Sequence, residues 1–378
     1  MSVDLVYNGQ GQGQVANQIL NNGSRLDPGS MRPFVHFNEK TGQWGAYIST
    51  YMGGDTKNPK NFRTTPIQVN ANTLRRDEWK SLDESVLQIA ETRLNGIQDL
   101  ISNGLTYTLG NAMGTTVLEW HDTGDAMEAD LTMDGVSRGQ GDRVTFQHNY
   151  LPIPIIHVDY EINARVLAAS RNLGNPLDTL SAERAGRKVA DKLEAMLFTD
   201  TTYAFGETDS RSRNSIYSYI NFPDREELTV TAWTASAKTG VGMVNDVLSA
   251  KQLLIDAKHY GGTKGYTLYI PTAWETTIDE DYVGSTPDTS ATNRTIRQRI
   301  LAIDKIANIK VVDALPANNA VLVQMSPDVV RLVQGMGIQN VQWSTEGNFV
   351  NKYKVMTIQV PQIRSDRNSK TGIVHIST

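Results

Sequence analysis

The chain has no cysteine among its 378 residues, which removes disulfides, zinc–thiolate sites, iron–sulfur clusters and cysteine nucleophiles together. No apolar run approaches the roughly 18 residues a membrane helix needs. The N-terminus, Met1-Ser-Val-Asp-Leu-Val-Tyr7, lacks a basic stretch followed by an apolar one, so no signal peptide is expected and no N-terminal segment should be removed. A soluble, intracellularly made protein is expected, with the sequons at Asn22 and Asn293 arising by chance. Positive charge is not in excess either: 36 Lys and Arg against 41 Asp and Glu leave a net −5. A dedicated nucleic-acid binder should be basic, although a container whose inner face tolerates DNA need not be. Apolar residues make up 39%, below the roughly 45–50% usual for globular domains when Gly is counted. Extended, partner-dependent segments would dilute the composition in this way, as would a polar enzyme.

Catalytic and metal-binding patterns are also missing. The six histidines, His36, His121, His148, His157, His259 and His375, include no H-E-x-x-H spacing. His121 and His148 can face each other across a hairpin, but a solvated pair explains them better than a metal site without orienting partners. Gly9, Gly11 and Gly13 fail the G-x-G-x-x-G spacing, since position 14 is Gln14. There is no G-x-S-x-G elbow and no Walker A sequence. No enzyme, cofactor or metal is expected.

What is present is a sequence of unlike segments. Residues 1–72 look unlike the rest: Asn8 to Ser24 is rich in Gln, Asn and Gly, and further along Trp44, Tyr47, Tyr51 and Phe62 punctuate turn-rich sequence. Such chain cannot offset ordering costs of about 1–2 kcal/mol per residue by itself. It reads as an extended arm lying on other protein, anchored by those aromatics. From Asp77 to Leu94 the apolar residues fall at helical spacing, with Asn95-Gly96 as a C-terminal cap. Residues 115–149 read as a long polar hairpin. Pro152 and Pro154 confine the run 151–160 to an edge strand or a strand entry. A helix from about Thr179 to Phe198 buries Ala182, Ala185, Val189, Leu193 and Met196-Leu197. Helices at 241–259 and 294–303 then alternate with strands at 265–270, 309–312, 320–325, 329–333, 352–360 and 371–376. The class is α+β, with neither repeats nor heptads.

Charge marks the hairpin. Between Glu119 and Arg143 stand the acids Glu119, Asp122, Asp125, Glu128, Asp130, Asp134 and Asp142, against only Arg138 and Arg143. The plain reading is a solvated loop. The sharper one is a ribbon docking on a neighbouring subunit's basic surface, with Arg165, Arg171, Arg184, Arg187 and Lys188 as counter-charges.

This order of parts resembles the fold shared by tailed-phage major capsid proteins and bacterial encapsulins, and is most similar to the encapsulin (linocin-like) branch. Five segments carry the resemblance. Arg76-Asp-Glu-Trp-Lys-Ser-Leu-Asp-Glu84 looks like the family's N-terminal helix. Leu151-Pro-Ile-Pro-Ile-Ile-His-Val-Asp-Tyr-Glu-Ile162 looks like the strand leaving its extended loop. Asn175-Pro-Leu-Asp-Thr-Leu-Ser-Ala-Glu183, with 187–190 and 197–198, looks like its spine helix. Gly265-Tyr-Thr-Leu-Tyr-Ile270 and Thr357-Ile-Gln-Val360 look like its later strands. The likeness spans about 74–378.

The resemblance implies an N-arm (1–72), an N-terminal helix opening a peripheral domain (73–114), an extended loop (115–149), a peripheral domain with the spine helix (150–200) and an axial domain (201–340). Strands at 341–378 would return to the peripheral domain. It implies a shell subunit that partners itself in hexamers and pentamers, with portal and scaffolding or decoration proteins beside it and double-stranded DNA held non-specifically at the inner face, and no membrane. Assembly would occur in the host bacterial cytoplasm and the location would be the virion capsid. The long arm favours a phage; an encapsulin compartment enclosing a cargo enzyme is the alternative. Some shells of this fold are cross-linked through an extended-loop lysine. No lysine occurs between Ser81 and Arg187, so that chemistry should be absent.

Overall fold

The computed structural model describes residues 34–38, 42–51, 62–67, 78, 80–86, 95–110, 113–123, 133, 146–163, 165, 180–200, 203–204, 215–283, 294–345, 350–366 and 369–378. The first strands, β1 (Phe34–Asn38), β2 (Gln43–Tyr51) and β3 (Phe62–Ile67), pair antiparallel with one another. Gly42, at φ +65°, supplies the left-handed turn between β1 and β2. Over these strands the chain differs from the coreless arm expected for 1–72. These three strands satisfy much of their own backbone by pairing, and Phe34 packs on the main core. Residues 1–33 lie outside the described set.

A second sheet holds β4 (Thr106–Thr108), β14 (Val330–Thr345), β15 (Val350–Ile363) and β7 (Ile156–Asn163), in that order. The long helix α3 (Leu180–Phe198) lies across it. Val189, Leu193 and Leu197 share one buried cluster with Tyr353, Val355 and Ile358. Two shorter helices pack against α3, α1 (80–86) and α2 (Asn95–Ser102), and α2 also reaches β14. Gly186 is the contact with α1: a Cβ there would meet the Val86 carbonyl at 3.0 Å. Among the described residues, the hairpin strands β5 (Val117–Thr123) and β6 (Phe146–Pro152) pair only with each other, as do the short β8 (Tyr203–Ala204) and β9 (Ser215–Ile216). Pro152 ends β6, and β7 is an edge strand, as the prolines require.

The third large sheet is five-stranded, in the order β10 (Glu226–Thr229), β16 (Ile373–Ser377), β13 (Asn319–Gln324), β11 (Tyr266–Pro271) and β12 (Ile306–Val312). Its alternation serves two cores. Tyr269, Val321, Val323 and Ile373 face the α3 side. Leu268, Ile270, Leu322, Val374 and Ile376 face helices α4 (Gly240–Asp256), α5 (Glu275–Ile278) and α6 (Ile296–Leu301). Strands buried on both faces read as nearly continuous apolar runs, which is the look of Tyr266–Pro271.

Two boundaries differ from the sequence reading. β16 enters the five-stranded sheet between β10 and β13 instead of returning with β15, because its Val374 and Ile376 complete the second core. Conversely, residues 330–340 belong to β14 and pair with β15, although the sequence places them with 201–340.

Candidate functional site

Two features of α3 stand out, a cationic outer face and a polar joint at its C-terminal end. The outer face follows from helical spacing. Arg184, Arg187, Lys188 and Lys192 are all exposed and lie three or four residues apart, so they line one side of the helix. Glu183 and Asp191 beside them are half-buried. Lys192 was missed in the sequence reading, although its i+4 spacing from Lys188 was the available signal. Arg165 is exposed as well, its backbone N–H donating to Asn163 Oδ1 at 2.8 Å. Arg171 lies outside the described residues.

On the hairpin, Glu119 is exposed on β5 opposite Tyr150, and Asp122 pairs in register with Gln147. His121 stands opposite His148. Asp125, Glu128, Asp130 and Asp134 lie outside the described residues. The base of the hairpin is anchored: Leu151 is buried and Trp120 packs on the main core, in a pocket shared with Tyr217, Phe222 and Ile363. On β2, Trp44 and Tyr51 lie in the strand, and the half-buried Tyr47 ring sits 6.2 Å from Phe34. Of the expected charge pairing, the described residues thus place Glu119 on the hairpin and Arg165, Arg184, Arg187 and Lys188 on the basic side.

The joint was not legible in the sequence. Asn95-Gly96, expected to end a helix, instead opens α2, and the cap comes from α3. Glu194 Oε1 accepts from the Gly96 N–H at 2.7 Å, and Oε2 accepts from that of Ile97 at 3.4 Å. A carboxylate on the first N–H groups of a helix satisfies orphan donors and meets the positive end of the dipole. Gly96 is required by space, since a Cβ would lie 2.3 Å from the Phe198 ring. From α2 the network continues. Asp99 accepts from the Tyr269 hydroxyl on β11 at 3.2 Å and pairs with Lys310 Nζ on β12 at 3.2 Å. Phe198, Tyr219 and Tyr269 pack edge-on and stacked around it.

Glu194 is only 4% exposed. Its burial, offset in part by the two backbone donors and reinforced by Asp99, raises its carboxyl from 4.5 to about 7. Burial likewise holds the Tyr219 and Tyr269 hydroxyls well above the usual tyrosine range. Charge-assisted bonds here tie one α3 end to α2 and, through it, to the five-stranded sheet, which is the chemistry of a clamp. Among the described residues no group of three or more His, Asp or Glu could hold a metal ion, and no helix is long and apolar enough to cross a membrane.

A long helix lying over a sheet, a hairpin projecting beside it and a second sheet covered by short helices make up the fold of tailed-phage capsid subunits and encapsulin-type shells. Three solved structures share it. The virus-like particle from Pyrococcus furiosus aligns with TM-score 0.55 and 14% identity, over 79% of this chain and 99% of that one. The capsid of Myoviridae phage XM1 aligns at 0.54 and 8% identity, over 75% and 92%. A chain of Mycobacterium phage Adephagia aligns at 0.50 and 12%, over 74% and 89%. By sequence, the chain belongs to a family of unknown function (DUF6260), whose profile matches residues 69–376. No curated protein matches it.

Proposed function

We propose that this chain is the major capsid protein of a tailed double-stranded DNA phage, a structural subunit with no catalytic role. The fold carries this reading: its likeness to the phage XM1 capsid extends over nearly all of that subunit. Copies would assemble as hexamers and pentamers of an icosahedral virion shell made in the host cytoplasm. A portal protein and scaffolding or decoration proteins would join it, and DNA would lie non-specifically against the inner face, in keeping with the net charge of −5.

Within the shell, α3 and the β4–β14–β15–β7 sheet would form the peripheral domain, and the five-stranded sheet with α4 to α6 the axial domain around the symmetry axes. The acidic hairpin (Glu119, Asp122, Asp125, Glu128, Asp130, Asp134) would lie on the neighbour's basic face, built from Arg165, Arg171, Arg184, Arg187 and Lys188. Trp44, Tyr47 and Tyr51 would anchor the N-terminal segment on another copy. Permanent assemblies often bury more than about 2,000 Å² at each interface, and several such contacts per subunit would replace covalent cross-links.

A second reading has one observation in its favour: the P. furiosus particle is matched over 99% of its chain. An encapsulin compartment would enclose a cargo enzyme in place of DNA. Electron microscopy of the purified full chain tests both, with closed isometric shells expected. A small closed oligomer with no shells at any concentration or salt would overturn the proposal. Analysis of native particles then separates the two, nuclease-protected DNA marking a phage and a co-purifying enzyme a compartment.

A further inference from the structure

Arg331, on β14, is held in place but not neutralised by any described residue. Its Nε donates to Oε1 of Gln362, its cross-strand neighbour on β15. Its guanidinium lies over the Tyr107 ring of β4, 4.5 Å from the centroid. Among the described residues no Asp or Glu pairs with it, and neither Nη atom donates to anything. The side chain is half-buried, so water screens its charge only in part. Arg364, just after β15, brings a second positive charge to bear. Burial first, and then that like charge, holds the Arg331 guanidinium below its usual pKa, the direction expected where no counter-ion is at hand. Gln362 adds a further donor: it is fully buried, and its Nε2 has no acceptor among the described residues.

This geometry is that of a prepared clamp. Gln362 fixes the Nε end and the Tyr107 ring fixes the plane, so little side-chain freedom remains to be lost when an anion binds. The two Nη atoms, which can meet a carboxylate in parallel bonds, stay free to donate. Access is open, since β4 is a three-residue strand, exposed at every position, that pairs only with β14 among the described residues. Two anions of a DNA-filled shell fit such a fork, a carboxylate and a phosphate, and the surroundings favour the carboxylate. A duplex backbone is met by a stripe of cations. A single ordered guanidinium on a tyrosine 40% exposed is the makeup of a contact between proteins, in which Arg and Tyr are enriched. A second copy of this chain supplies the acid, since 41 Asp and Glu against 36 Lys and Arg leave each subunit with an excess of carboxylates.

We propose that Arg331, set by Gln362 and Tyr107, is an inter-subunit clamp that takes a carboxylate of a neighbouring copy in the shell. The clamp rests on the capsid reading above and is separate from the basic face of α3. A free subunit carries the half-buried charge uncompensated, and docking of the neighbour's acid removes that cost. The contact therefore favours the assembled state and slows its dissociation.

Arginine-selective footprinting of the full wild-type chain with phenylglyoxal, read by mass spectrometry, tests the clamp without a variant. Arg331 should react in dissociated subunits and lose most of that reactivity in DNA-free shells. Arg331→Gln, which keeps a donor but loses the charge, should raise the subunit concentration needed for shells roughly tenfold or more. Arg331→Lys, which keeps the charge but not the planar fork, should fall between the two. Should either variant fail to fold, the footprint on the wild-type chain still decides. Equal reactivity in subunits and shells, protection in DNA-filled shells only, or unchanged assembly of Arg331→Gln overturns the clamp alone. A wild-type chain that forms no shells overturns the capsid reading and the clamp together.

Discussion

Gly96 and the Phe198 ring are in contact across the end of α3, close enough that a Cβ on Gly96 would lie 2.3 Å from the ring edge. Phe198 cannot give way, because Tyr219 and Tyr269 hold it edge-on at 5.5 and 4.9 Å. Gly96→Ala should therefore cost about 1–3 kcal/mol by overpacking, read as a lower denaturant midpoint. Gly110→Ala is the control, as nothing lies within 4 Å of a Cβ there, and its stability should be unchanged. Equal midpoints for the two variants would refute the role of this contact.

The second core turns on Trp233 and Trp274, stacked at 4.6 Å and both buried. The Trp233 indole N–H donates to Asp246 Oδ2 at 2.9 Å, the same oxygen that Lys238 Nζ approaches at 2.6 Å. Asp246→Ala leaves a buried donor unpaired and should cost about 1–3 kcal/mol. Asp246→Asn, which keeps an acceptor, should cost less. Thermal melts of the two proteins compare them directly.

His375 predicts a pH effect on stability. Arg225 Nε donates to its Nδ1 at 3.5 Å, and its Nε2 lies 2.7 Å from Asn319 Oδ1, so the neutral ring donates through Nε2. Burial, then Arg225, lowers its pKa below 6.5. Below pH 6.5 the unfolded chain binds the proton and the folded one resists it, so this contribution to stability is present above 6.5 and fades on acidification. Between pH 7.5 and 5.5, His375→Gln should lose less stability than the wild-type chain, and identical slopes would contradict this.

The cationic face of α3 gives an assembly prediction. Arg184→Glu, Lys188→Glu and Lys192→Glu together alter exposed positions only, so subunit stability should stay within roughly 1 kcal/mol of the original. Shell yield should fall and should vary with ionic strength. Adding Asp125→Lys, Glu128→Lys and Asp130→Lys to the same chain should restore part of the yield. No loss from the first set, seen by sedimentation, would dispose of the docking idea.

The α3 helix, the paired hairpin strands and the buried β11 were legible in the sequence because each is encoded locally. Apolar spacing sets the stripe of Ala182, Val189 and Leu193, alternation sets β5 and β6, and an apolar run sets 266–271. The joint was illegible for the opposite reason. Asn95-Gly96 carries the local signature of a helix end, and only Glu194, 98 residues away, makes it a beginning. Likewise, nothing within Ile373–Ser377 states which of two sheets it will enter.

The sequence by itself determined the kinds of element, their order and the faces they bury, since side-chain periodicity acts over a few residues; that order was enough to suggest the shell-subunit fold. Tertiary structure alone decided the sheet that receives β16, the cap on α2 and the carboxylate held at the joint. Strand partners, distant caps and burial of charge depend on groups brought together by the folded chain, and no local pattern encodes them.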